Sequence, residues 1–205
     1  FIKLPEGKMS TRRGNVVFMD DLLEEAKAQA ANVVRDLRPE YDEAQIDAIS
    51  EAVATSAVRF NIIKVSPEKG FTFTWEEALS FEGGSAPFAM YAHTRACSIA
   101  RNLEAAEPAT EGPTFEGEMP DGLVDLLRVL AVHPDVLRNA VQQHKPHLFA
   151  LHMLDLANAY NGFYRDCPVI VDGRAHALHA AVSERAREVL HAGLTGLGLV
   201  PLERM

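Results

Sequence analysis

Pro87-Phe88-Ala89-Met90-Tyr91-Ala92-His93-Thr94-Arg95-Ala96-Cys97-Ser98-Ile99 carries two helical faces at once. Phe88, Ala92, Ala96, Ile99 and Leu103 recur at three- and four-residue spacing, the stripe a helix lays on a core. Tyr91, Arg95, Ser98 and Asn102 make a second stripe at intervals of four, three and four. Proline fits the first turn of a helix, so a helix is predicted from Pro87 to about Leu103. An aromatic ring beside a guanidinium on one helix face can stack a base and hold a phosphate. The same pair can equally close a helix–helix contact, and both readings stand at this point.

Working outward, the same periodicity recurs on either side. Leu22, Leu23, Ala26, Ala30, Val33, Val34 and Leu37 share one face until Pro39 stops the pattern. Asp21 with Glu24 three residues on reads as a capping-box start for that helix. A second helix is predicted from about Asp42 to Ile63, with Ile46, Ile49, Val53, Ala57 and Phe60 as its stripe. Phe71 to Trp75 alternates and is the only strand-like segment, too short to stand alone. Residues 82–87 are a loop. Residues 104–125 hold seven acids and no Lys or Arg, and with Pro108, Pro113 and Pro120 they read as a linker or exposed loop. Leu123 to Leu130 predicts a short amphipathic helix, and Pro134 the start of another. A long helix follows Pro146 to near Arg165, Asp172-Gly173 is a turn, and a last helix runs from about Ala175 to Ala192 with Gly193 as its left-handed stop. The class is all-α, with a break expected near residue 86 that divides residues 1–86 from residues 87–205.

Composition narrows the function classes. At 205 residues with 47% apolar and 24% charged residues, the chain is an ordinary globular one of one or two domains. Its net charge of −9 argues against a nucleic-acid binder that uses its whole surface, so any RNA contact must rest on a local patch or on stacking. Cys97 and Cys167 lie 70 residues apart without a ligand pattern and read as free thiols of a reducing compartment. No apolar run approaches the roughly 20 residues that span a bilayer. A cytoplasmic protein is expected. His144-x-x-His147 with His152, and His176-x-x-His179, offer short spacings but no Cys or carboxylate at a zinc spacing, so no metal is assigned.

The front of the chain is the other informative stretch. Lys3, Lys8, Arg12 and Arg13 lie within eleven residues, with Ser10 and Thr11 among them and Gly7 and Gly14 on either side. Mobile cations and hydroxyls between glycines suit a polyphosphate, although a solvated basic loop fits the composition as well. The spacing is not that of a P-loop. Tyr160 and Tyr164 stand one turn apart on the helix after Pro146, with Asn161 and Arg165 beside them. Each stacked base there would contribute about 1–3 kcal/mol.

Lys8-Met9-Ser10-Thr11-Arg12 resembles the Lys-Met-Ser-Lys-Ser signature of class I aminoacyl-tRNA synthetases, and the Arg13-Gly14-Asn15-Val16-Val17 that follows resembles the arginyl branch. Four further segments resemble that family in the same order. They are Phe81 to Phe88, Tyr91 to Ile99, Phe163 to Val169, and Gly196 to Met205. The resemblance implies the C-terminal part of an arginyl-tRNA synthetase: a helical anticodon-binding domain, preceded by the signature loop and last helices of a truncated α/β nucleotide-binding catalytic domain. It implies an ATP-dependent ligase that forms arginyl-adenylate and then charges the tRNA for arginine, with magnesium accompanying ATP in the intact enzyme, and no DNA or membrane partner. Lys8, Met9, Ser10 and Thr11 would contact ATP, with Lys8, Ser10, Arg12 and Arg13 carrying the catalytic charge. Thr11 stands where the second signature lysine is usual, so Arg12, Arg13 or a lysine from elsewhere would replace it. Tyr91, Arg95, Tyr160, Asn161, Tyr164 and Met205 would face the anticodon loop. The His-Ile-Gly-His signature does not occur, and the chain starts without Met, so a C-terminal piece that does not aminoacylate alone is expected. The alternatives are a stand-alone RNA-binding module and an interaction domain that keeps the bundle.

Overall fold

A computed structural model describes residues 2–4, 7–8, 18–110, 112–114 and 117–205, with backbone alone for residues 2, 4, 7 and 8. Strand β1 (Ile2–Leu4) pairs antiparallel with β2 (Gly7–Lys8), Lys3 opposite Lys8. The start of the basic stretch is therefore strand where the sequence predicts a loop. Helix α1 (Met19–Leu37) follows, burying Ala26, Ala30 and Val34. Its N-cap is Phe18, without a side-chain cap, so the predicted Asp21–Glu24 box does not form. The helix begins two residues before Asp21, and Asp20 and Asp21 lie in its first turn, where they face the positive end of the dipole. The box forms instead ahead of α2 (Glu43–Ile63), between Asp42 and Gln45. The stripe from Ile46 through Ile49, Val53 and Ala57 to Phe60 is buried as its spacing requires.

β3 (Phe71–Thr72) lies parallel to β1, which completes a sheet of order β2-β1-β3. The strand-like segment therefore finds partners at the front of the chain. The one-turn α3 (Trp75–Ala78) leads to α4 (Ala86–Glu104), capped by Ser85, whose side chain accepts from the Phe88 N–H. α5 (Asp121–Gln142) is a single helix with Pro134 inside it, where the sequence predicts two. Proline removes one helical hydrogen bond, and α5 continues through it because Leu123 and Leu126 before it and Ala140 after it are all buried. A short turn with His144 at φ 55° reverses the chain into α6 (Pro146–Asp166), and the two helices form an antiparallel hairpin.

β4 (Ile170–Val171) and β5 (Arg174–Ala175) form a hairpin around Asp172 (φ 50°) and Gly173 (φ 80°), the left-handed pair of a tight turn. The turn is where the sequence predicts it; the strands are an addition. Glu107 bridges to this hairpin through its N–H to Gly173 O (2.9 Å) and its O from Ala175 N–H (2.8 Å), so the acidic stretch is anchored at its start. α7 (Ala177–Gly196) runs past the expected stop at Gly193. A Cβ on Gly193 would overlap the Met153 side chain of α6, so this glycine serves close helix packing; the left-handed residue is Gly198, at φ 72°.

The last residues then thread back over the core. Val200 N–H donates to Ser56 Oγ (3.1 Å), Arg59 Nη1 donates to Gly198 O (2.5 Å), and Thr94 Oγ1 donates to Leu202 O (3.0 Å). His93 Nδ1 also donates to Leu202 O (2.9 Å), since a carbonyl can only accept. Leu199 and Met205 are buried, so the tail closes one apolar core shared by all six long helices.

Candidate nucleic-acid interface

The second stripe of α4 faces a concavity of about 400 Å³. Tyr91, Arg95, Ser98 and Arg101 supply one wall from a single helix. Tyr164 comes from the end of α6, Arg204 and Met205 from the tail, and Arg38 and Tyr41 from the connector between α1 and α2. At its centre the Arg95 guanidinium carbon lies 4.5 Å from the Tyr91 ring centroid and 5.0 Å from that of Tyr164. Arg95 Nη1 donates to Asn161 Oδ1 at 2.7 Å, which fixes the plane of the fork between the two rings. The predicted residues Tyr91, Arg95, Asn161, Tyr164 and Met205 are thus gathered in one place.

Tyr160 is not among them. It is fully buried, and its hydroxyl bonds Ser183 Oγ at 2.9 Å across to α7, with burial pushing its pKa up. Its ring packs near Phe163, with centroids 5.9 Å apart, and no face is left for a base. One turn along, Tyr164 is 46% exposed. The helix carries the two tyrosines on adjoining faces, and α7 covers only the first. Met205 reaches the site but is itself buried, and its main-chain oxygen accepts from Arg38 Nε at 2.9 Å.

Arg38, Tyr41, Arg101 and Arg204 are the residues that sequence reasoning missed. Arg101 stands three residues beyond Ser98 on the α4 stripe, a signal that was present in the spacing. Arg38 and Tyr41 flank the proline that ends α1, and nothing in the sequence pairs that connector with a helix fifty residues on. With Arg95, these three arginines make the lining cationic in a chain whose net charge is −9.

Beside this concavity lies a smaller, more apolar one of about 290 Å³, walled by Val34, Leu37 and Phe81, with Arg38, Tyr91 and Met205 common to both. The histidine pairs do not build a metal site. His133 and His152 meet at 3.1 Å, His176 and His179 stack at 3.8 Å, and among the described residues no three potential ligands converge. No helix of the described residues is long and apolar enough to cross a membrane. Lys8 is described only as strand backbone, and Met9, Ser10, Thr11, Arg12 and Arg13 lie outside the described residues.

Comparison with known proteins adds a second line of argument. Residues 89–205 match the model of the DALR anticodon binding domain, and residues 4–75 match that of the class I (R) tRNA synthetase catalytic domain. An arginine–tRNA ligase of Methanocella arvoryzae is 42% identical over 206 residues, covering 100% of this chain and 36% of its own length. One from Thermoplasma acidophilum is 39% identical, covering 100% and 37%. Among solved structures, the arginyl-tRNA synthetase of Thermus thermophilus superposes with a TM-score of 0.85 at 30% identity, over 100% of this chain and 34% of that one. The chain thus spans little more than a third of the length of these relatives.

Proposed function

The chain belongs to the DALR anticodon binding domain family, and on that footing we propose that it is the C-terminal part of an arginine–tRNA ligase. Residues 87–205 act as the module that holds the anticodon region of the tRNA for arginine. Residues 1–86 are the end of the catalytic domain, with the loop that closes on ATP. The whole enzyme forms arginyl-adenylate from arginine and ATP with release of pyrophosphate, and passes the arginyl group to the tRNA with release of AMP in cytoplasmic protein synthesis. The observation that carries the reading is Arg95, held between Tyr91 and Tyr164 and pinned by Asn161 at the centre of an arginine-lined concavity. A preset guanidinium between aromatic faces gives an RNA loop both a phosphate contact and stacking partners.

Lys8, Met9, Ser10 and Thr11 take the ATP contacts on the strength of the match over residues 4–75, with Lys8, Ser10, Arg12 and Arg13 supplying positive charge to the departing pyrophosphate. Magnesium would arrive bound to ATP, and none of its chemistry is assigned to this chain's residues.

Filter binding of tRNA to the Arg95→Ala protein tests the anticodon role. About a tenfold or greater loss is expected from removing the stacked cation; binding equal to the parent would remove the concavity from the account. In the full-length ligase, Arg12→Ala and Arg13→Ala are expected to slow arginine-dependent pyrophosphate exchange. Unchanged rates in both would take these two residues out of catalysis.

A further inference from the structure

The concavity has a wall that the anticodon-binding match does not include. Arg38 and Tyr41 belong to the α1–α2 connector, within residues 4–75 and outside residues 89–205. This connector is rigid. Arg38 N–H donates to Val34 O at 2.8 Å as the cap of α1, and Tyr41 N–H donates to Arg38 O at 3.1 Å, closing a turn with Pro39 at its second position. Asp42 then opens the capping box of α2. Arg38 and Tyr41 are therefore presented in fixed geometry from both sides, which lowers the ordering cost of binding.

Arg38 also meets the tail. Its Nε holds the Met205 main-chain oxygen at 2.9 Å, and Glu40 lies 3.9 Å from Nη1. Nη2 has no partner among the described residues and is left for an anion. Arg101 Nη1 likewise holds the Glu203 main-chain oxygen at 3.2 Å. Four guanidiniums gathered in so small a space repel one another unless an anion shares it. The tail is thus stapled between two arginines that both line the concavity.

We propose that the α1–α2 connector is the second half of the RNA-binding site. Arg38 binds a backbone phosphate of single-stranded RNA while it latches Met205 in place, and Tyr41 stacks a base across from Tyr91. The proposal rests on the reading of the concavity as the RNA site, and it extends that site into the stretch that matches the catalytic domain. Specificity for the RNA would then depend on both parts being in register. A phosphate contact carries a signature that a merely structural residue lacks. Each phosphate neutralised on single-stranded RNA contributes about −0.7 to the slope of log affinity against log salt.

The test is fluorescence anisotropy with a labelled anticodon stem–loop RNA at a series of NaCl concentrations. The proteins are the parent chain, Arg38→Gln, Arg38→Lys, Tyr41→Ala and, as reference, Arg95→Ala. Arg38→Gln should bind about fivefold or more weakly, with a slope shallower by about 0.7. Arg38→Lys should keep the parent slope but lose affinity, because one ammonium does not span both the carbonyl and the phosphate. Tyr41→Ala should weaken binding about fivefold or more at an unchanged slope. Thermal unfolding checks that each variant is folded. If Arg38→Gln weakens binding at the parent's slope, Arg38 acts only as a latch and its phosphate role is overturned. If Arg38→Gln and Tyr41→Ala bind like the parent while Arg95→Ala does not, the connector proposal is overturned and the anticodon reading stands. If Arg95→Ala also binds like the parent, both are overturned.

Discussion

Two tyrosines four positions apart on α6 have opposite roles. Tyr160 is core, hydrogen-bonded to Ser183, and Tyr164 is half-exposed against Arg95. In the sequence they are equivalent: each is a tyrosine near an asparagine and an arginine on one helix. What separates them is the position of α7, which the local pattern does not encode. Tyr160→Phe should therefore lower stability by about 1 kcal/mol in urea unfolding, since it leaves Ser183 unpaired, and tRNA affinity should not change. Tyr164→Ala should do the reverse, with urea stability within about 0.5 kcal/mol of the parent and weaker tRNA binding. A Tyr160→Phe protein with weakened RNA binding would contradict the assignment. Arg95 was legible because its partners lie on its own helix face. Arg38 was not, because its partner Met205 is 167 positions away.

At the scale of elements, stripes were readable and stops were not. The apolar face of α2 is buried as its spacing dictates, because amphipathic periodicity is local; those of α1 and α4 are buried in part, with Leu37 left 58% exposed at the end of α1. Pro134 and Gly193 were read as boundaries, and both lie inside helices whose tertiary packing outweighs the local preference. The strands were legible only in part: β1 meets β2 within a few residues, but β3 exists by pairing with β1 about seventy positions away. Gly193 gives the clearest element-scale prediction. Gly193→Ala gains helix propensity of about 1 kcal/mol, but its methyl group would overlap the Sδ–Cε end of the fully buried Met153 side chain, which must repack. A net loss of up to about 2 kcal/mol in urea unfolding is expected. Made in a Met153→Ala background, where the overlap is gone, the same change should cost less than in the parent, and a stabilised Gly193→Ala protein would contradict the close approach.

Across the whole molecule, His93, His152 and His179 are buried and His133 is half-buried. His93, His133, His152 and His179, from four different helices, all have their pKa lowered, chiefly by burial. A histidine depressed in the folded state is neutral there, while the unfolded chain takes up protons once pH falls below its ordinary value of about 6.5. Their contribution is therefore complete above about pH 7 and declines as pH drops below 6.5. The carboxylates with lowered pKa, such as Glu43 and Asp166, lose their contribution only in more acid solution. The urea midpoint should thus be flat from pH 8 to pH 7 and fall by pH 5.5, and a midpoint that rises on acidification would contradict the sign.

At this scale the sequence was legible through ordered resemblance, since five segments along the chain resemble one family and the matches to known proteins cover the same length. The composite concavity was not, because it depends on three distant segments meeting. The most direct measurement is the affinity of the chain, at low salt, for tRNA bearing an arginine anticodon and for other tRNAs, with Arg95→Ala alongside. Tighter binding of the arginine tRNA, lost about tenfold or more in Arg95→Ala, is the predicted result. Equal affinity for all tRNAs, or a preference that survives Arg95→Ala, would contradict it.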